Sequence, residues 1–217
     1  MPKPAAPPRS CTCRVDCRKG VFVSSIETRE SLFRDLGRAA RTIVWFVAAI
    51  WIVTIIDMTV FGGRLQGYGI WPRTKHGLLG ILWAPFLHGG IVHLIGNTSG
   101  ILVFGGLVIL RSEAHFWVVT VVGALVGGLG TWLLGRPVIH IGASGVIFAY
   151  FGYLLCTGWF ERRLGALALS LVVFLLWGST LFGILPLRHG ISWEGHLFGL
   201  LGGAAAAWML ARTRTEA

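Results

Sequence analysis

Four side chains in this sequence have the types and spacing to do chemistry together: one serine, two histidines and an asparagine. Ser144 sits in His140-Ile-Gly-Ala-Ser-Gly-Val-Ile-Phe148, between Gly142 and Gly145, where a short polar turn (Gly135, Arg136, Pro137) gives way to an apolar run ending near Phe160. Glycines beside a serine remove the β-carbons that would block an approaching substrate backbone, and a helix start leaves unpaired N–H groups able to bind a developing oxyanion. An aliphatic hydroxyl is a poor nucleophile until a base takes its proton, which suits a histidine such as His196. His93 and Asn97 are four residues apart, so on a helix they fall roughly 40° apart on one face and form a pair of donors. The competing reading of Gly142-Ala-Ser-Gly145 is a small-residue packing face in a membrane helix.

The elements that would position these groups are read from hydropathy. The chain has 217 residues, of which 54% are hydrophobic and 13% charged, with a mean hydropathy of +0.72. That is too apolar for an ordinary soluble domain and describes a polytopic, all-α membrane protein. Six apolar runs of membrane-spanning length occur at about 42–61, 86–110, 115–134, 143–160, 164–185 and 193–211. With six spans both termini share one side, and fourteen of the nineteen Lys and Arg residues fall there. That bias places both termini in the cytoplasm, and it reads the net charge of +10 as topology rather than as a nucleic-acid interface. The expected organisation is a cytoplasmic segment, 1–41, a six-helix membrane domain, 42–212, and a cytoplasmic tail, 213–217.

The N-terminal segment opens with no short apolar stretch and cleavage site, so no cleaved signal peptide is expected. Residues 1–20 read as disordered, and 24–41 as a short helix on the inner leaflet or a solvated tail. Cys11, Cys13 and Cys17 have no fourth ligand at zinc-like spacing, so no metal is expected there. Asp57, near the outer end of the first span, reads as structural. Glycines and Pro72 break any helix in the outer loop 62–85, whose Ile70, Trp71 and Trp83 anchor it at the interface.

Counting from Gly145 to Phe160 gives 16 residues, about 24 Å of helix against a hydrocarbon core of about 30 Å. Glu161-Arg162-Arg163 pins the inner end, so residues 140–144 must dip in from the outside as non-helical chain. Such backbone is tolerated only where it is buried in protein or lines a wet cavity, which puts Ser144 at the floor of a pocket open to the outside. The fifth span reads as a wall. In the sixth, Gly195, Gly199 and Gly203 repeat every four residues and match Gly145, Ala149 and Gly152 of the fourth, a pairing that carries His196 toward Ser144. His88, on a helix starting at Phe86, would point away from His93, and Glu194 away from His196, leaving a Ser/His pair without an orienting acid.

Two other classes fit parts of this pattern. Histidines in a bundle can hold haem, and Asp57 with buried histidines would suit a small transporter, although no inverted repeat with paired broken helices is evident. The ordered set His88-x4-His93-x3-Asn97, Gly142-x-Ser144-Gly145 and His196-x2-Gly199-x3-Gly203, on the second, fourth and sixth spans, resembles the rhomboid intramembrane serine proteases. The resemblance covers about residues 42–212. It implies Ser144 as nucleophile, His196 as general base, and His93, Asn97 and the Ser144 N–H as oxyanion hole. Gly142 would belong to the substrate-binding loop, with His88 and Gly199 in support. It implies single-pass transmembrane substrates cut near the outer interface, a bacterial-type inner membrane, and no metal or cofactor. The sequence departs from the family at Leu79-Gly80, where many members have Trp-Arg, and at Phe148, where many have Tyr. Phe148 can stack on the His196 imidazole but offers it no hydroxyl. A non-catalytic relative that binds transmembrane clients is the alternative from another class; oligomeric state is not legible in the sequence.

Overall fold

The computed structural model describes residues 17–187 and 190–215, and among them no strand occurs. The chain divides into two compact units, Met1–Arg38 and Ala39–Ala217. In the first the described backbone is helical, and Arg38 pairs with Asp35 at 2.6 Å on an exposed surface. Cys11 and Cys13, and the part of the expected disordered segment up to residue 16, lie outside the described residues; residues 17–20 are helical.

The described residues form eight α-helices in order: α1 (Cys17–Ile56), α2 (Lys75–Trp83), α3 (Ile91–Gly100), α4 (Gly106–Arg111), α5 (Glu113–Leu134), α6 (Ser144–Glu161), α7 (Leu164–Trp177) and α8 (Trp193–Thr215). A π-helical turn, Ile101–Gly105, joins α3 to α4, and a 3-10 segment, Gly178–Ile184, extends α7. Among the described residues four stretches are long and apolar enough to cross a membrane: Leu32–Phe61, Ile91–Arg111, Glu113–Leu134 and Leu164–Ile184. The expected fourth and sixth spans are also helices, α6 and α8, but glycine and tyrosine in α6, and glycine, Glu194 and His196 in α8, dilute their hydropathy, which is tolerated because they pack on protein. Every residue of α6 from Val146 to Leu154 is buried, whereas Leu167, Leu171 and Leu175 of α7 face outward.

The glycine face of α8 meets α6 as its four-residue repeat requires. A β-carbon at Gly199 would collide with the Gly145 carbonyl oxygen, and one at Gly203 with that of Ala149. Gly123 of α5 similarly admits Ala149. Backbones this close gain dispersion and exclude lipid, the main source of helix association in a bilayer.

Two expectations need correction. The outer loop is not free of helix: α2 forms inside it, capped by Thr74, whose hydroxyl accepts from the Gly77 N–H at 3.0 Å. Gly77 and Gly80 lie inside this helix because they pack against the backbone of Trp71 and of Gly69-Ile70, where a side chain would clash. Second, the helix that carries His93 begins at Ile91 rather than Phe86, after a short 3-10 turn, Ala84–Phe86. His88 therefore lies on irregular chain, where helical angles do not govern its direction. Asp57 is structural as expected: buried, it accepts the Leu65 N–H at 2.8 Å and Gln66 Nε2 at 3.3 Å, fastening the start of the loop.

Candidate active site

Ser144 is the first residue of α6, and no side chain caps that helix. The first-turn N–H groups consequently have no partner within the helix. The preceding chain, 136–143, is held from three sides. His140 exchanges backbone hydrogen bonds with Ile70, both 2.9 Å, and the Gly142 N–H donates to the Ala84 carbonyl at 2.8 Å. Gly142 has φ +110°, a conformation side chains rarely adopt, and a β-carbon there would sit 2.6 Å from His93 Nε2 and 3.7 Å from Asn97 Nδ2. The chain before the serine therefore lies directly against the two donors on α3.

Their hydrogen bonds fix which atoms are free. His93 Nδ1 accepts the Gly89 N–H at 3.3 Å, so in the neutral ring the proton is on Nε2, the atom facing Gly142. Asn97 Nδ2 donates one proton to the His93 carbonyl at 2.9 Å and keeps a second. Asn97 is buried, as is His88, which packs edge-on against His93 at 5.1 Å between ring centroids. His88 Nδ1 lies 3.2 Å from Thr54 Oγ1 of α1. His88 thus stands beside His93 rather than away from it, and props its ring.

His196 lies on the first turn of α8, flanked by Gly195 and Gly199, the residues that abut Gly145. Its ring stacks on Phe148, one turn after Ser144, at 4.1 Å and 9°. Its Nδ1 lies 2.9 Å from the Gly183 carbonyl. A carbonyl only accepts, so Nδ1 carries the proton and Nε2 keeps its lone pair. The segment after α7, read as a plain wall, therefore supplies the partner that no acid provides. Gly183 is needed at that spot, because a β-carbon would meet Phe148 Cζ at 2.7 Å and His196 Nδ1 at 3.3 Å. A glycine within an apolar span is a weak signal, and only the tertiary contact singles this one out.

Glu194 is occupied elsewhere. Its buried carboxylate pairs with Arg136 at 2.7 Å. His140 is buried too, with Nδ1 2.7 Å from Ser192 Oγ and Nε2 3.1 Å from the Arg136 carbonyl. Burial pushes the His140 pKa below the ordinary histidine value, with the Arg136 carbonyl opposing. Ser144 also lines a cavity of about 40 Å3 together with Ala84, Thr131, His140 and Ser192, a volume able to hold about three or four waters at about 10–15 Å3 each. Among the described residues no group of three or more His, Cys, Asp or Glu is arranged to hold a metal ion.

Comparison with known proteins now decides the family. The rhomboid domain matches residues 75–213, from the start of α2 to the last turns of α8. The chain belongs to the rhomboid family. An uncharacterized protein of Mycobacterium tuberculosis is 40% identical over 185 residues, covering 81% of this chain and 77% of its own. YdcA of Bacillus subtilis, named as a candidate rhomboid protease, is 33% identical over 54% of this chain and 59% of its own. RHOMBOID-like protein 6 of Arabidopsis thaliana, a mitochondrial protein, is 28% identical over 60% of this chain and 43% of its own. With its apolar helices, the chain is a multi-pass membrane protein of rhomboid architecture. The rhomboid match includes Ser144, His196, His93, Asn97 and Gly142, and begins after α1.

Proposed function

We propose that this rhomboid protein is an intramembrane serine endopeptidase acting through a Ser144/His196 dyad. The observation that carries the reading is the state of His196: Nδ1 is held by the Gly183 carbonyl and the ring is stacked on Phe148, which leaves Nε2 as the basic atom at the α6–α8 contact. In this mechanism His196 Nε2 takes the Ser144 proton as Oγ attacks the scissile carbonyl. The resulting oxyanion is met by the Ser144 N–H, His93 Nε2–H and the free Asn97 N–H. His196 then returns the proton to the leaving amine. Water from the cavity beside Ser144 hydrolyses the acyl-enzyme by the same path in reverse. Preorganised donors of this kind lower the barrier by about 2.7–4 kcal/mol each in serine proteases. Phe148 and the Gly183 carbonyl do the orienting that an acid does in a three-residue arrangement.

The substrates are single-pass membrane proteins whose helix frays near the outer interface. The membrane domain spans 42–212 with six crossings, in a bacterial inner membrane with both termini cytoplasmic. The positive-inside count and the short α6 support that orientation, which puts Ser144 in the outer leaflet. The test is covalent labelling of the purified, detergent-solubilised chain by a fluorophosphonate, read by intact mass, with cleavage of a reconstituted transmembrane substrate alongside. Ser144→Ala and His196→Ala should each abolish both signals while the protein remains folded. Equal labelling of the Ser144→Ala protein would sink the assignment. A folded wild-type chain that takes no label and cuts nothing would favour a non-catalytic client-binding relative.

A further inference from the structure

The loop before Ser144 and the first turn of α8 are fastened at two points. At the first, Glu194 Oε1 accepts the Arg136 backbone N–H at 3.0 Å and Nε at 2.7 Å, while Oε2 accepts Nη2 at 3.2 Å. Arg136 Nη2 also donates to the Ile191 carbonyl at 2.7 Å. At the second, the Ser192 hydroxyl lies 2.7 Å from His140 Nδ1. Because His140 Nε2 faces the Arg136 carbonyl, which accepts, Nδ1 accepts from Ser192. Ser192 in turn takes the Gly195 N–H at 3.2 Å on Oγ and the His196 N–H at 3.1 Å on its carbonyl. His140 is four residues before the serine, and Ser192 is four before the histidine.

We infer that the Arg136–Glu194 ion pair and the His140–Ser192 hydrogen bond form a clamp that sets Ser144 against His196; this rests on the endopeptidase reading. None of the four hydrogen-bonds to the Ser144 side chain or to the His196 ring, whose Nδ1 partner is the Gly183 carbonyl, so they are positioning residues. The Glu194 side chain is 1% exposed, against 40% for Arg136. The carboxylate is therefore the buried anchor, and the guanidinium reaches it from the loop. A buried carboxylate with three charge-assisted bonds holds its partner to a narrow range of positions. The α6–α8 glycine contact brings the two helices together, and the clamp determines the register of the irregular chain between Gly135 and Ser144.

The test uses the full chain with Glu194→Gln, Arg136→Gln and the double variant, and measures three quantities. These are the rate of fluorophosphonate labelling, the final labelled fraction, and kcat and KM on a reconstituted transmembrane substrate. A displaced nucleophile slows chemistry steeply, so Glu194→Gln should lower the labelling rate and kcat by about tenfold or more, with KM within about twofold. The labelled fraction should stay near that of wild type. The double variant should be no slower than the slower single, and Arg136→Lys should recover part of the rate. A wild-type rate in Glu194→Gln, or losses that multiply in the double variant, would overturn the clamp. So would a loss that appears wholly as a lower labelled fraction, since that is what a purely structural pair produces. Should Glu194→Gln fail to fold, Ser192→Ala tests the second fastening by the same rate-against-fraction comparison. A folded wild-type chain that takes no label removes the endopeptidase reading, an outcome distinct from an active wild type with an indifferent Glu194→Gln.

Discussion

Replacing Gly142 with alanine should cripple the active site while leaving most of the fold intact. At φ +110° an L-residue costs about 1–3 kcal/mol of backbone strain. The new methyl would lie 2.6 Å from His93 Nε2 and 2.7 Å from Cε1, about 1 Å inside normal contact. The His93 ring must swing away, or the chain before Ser144 must lift. In the proposed mechanism either response withdraws the Nε2–H from the oxyanion, a loss of about 2.7–4 kcal/mol, so kcat should fall by roughly two to three orders of magnitude. The assay is cleavage of a reconstituted transmembrane substrate, with melting followed in parallel to separate the strain from the chemistry. In Gly142→Ala/His93→Ala the clash is gone, so the double variant should be little worse than His93→Ala alone. Activity of Gly142→Ala within about twofold of wild type would refute both the close approach and the role given to His93.

Asn97→Ala should slow cleavage by about a hundredfold without abolishing it, because two other donors remain; an unchanged kcat would remove Asn97 from the oxyanion hole. Phe148→Ala loses the stack on His196, worth about 0.5–1.5 kcal/mol, so kcat should fall roughly 2- to 13-fold, whereas Phe148→Tyr should retain activity. Gly199→Val places a side chain against the Gly145 carbonyl; it should destabilise the α6–α8 pair, read as an earlier melting transition, and a wild-type transition would contradict the packing. The pH response follows from His140, whose folded pKa is lowered by burial. The unfolded chain binds that proton more readily, so this contribution is complete above the ordinary histidine value and is lost as pH falls from it toward the lowered folded one. Melting between neutral and mildly acidic pH should show that loss in wild type and less of it in His140→Gln; identical pH dependence in both would dismiss the assignment.

What the sequence determined is what one-dimensional spacing can carry. Hydropathy marks where the helices run, because a helix exposed to lipid must be long and largely apolar, and the four-residue glycine repeat of α8 identifies its partner, because only small residues allow that approach. The i, i+4 spacing of His93 and Asn97 placed two donors on one face, and the short α6 foretold irregular chain ahead of Ser144. Where the chain leaves regular structure, periodicity has nothing to say. Helical angles send His88 away from His93 because the apolar run begins at Phe86, five residues before the helix itself starts at Ile91, and a glycine-rich loop conceals α2, whose glycines meet backbone rather than solvent. The tertiary structure alone decided the hydrogen bonds between distant segments: the Gly183 carbonyl on His196, Arg136 on Glu194, and Ser192 on His140. A main-chain carbonyl has the same chemistry in every residue. Its selection as the partner of one imidazole depends on where α7 ends relative to α8, a relation set by packing across the bundle and absent from local sequence.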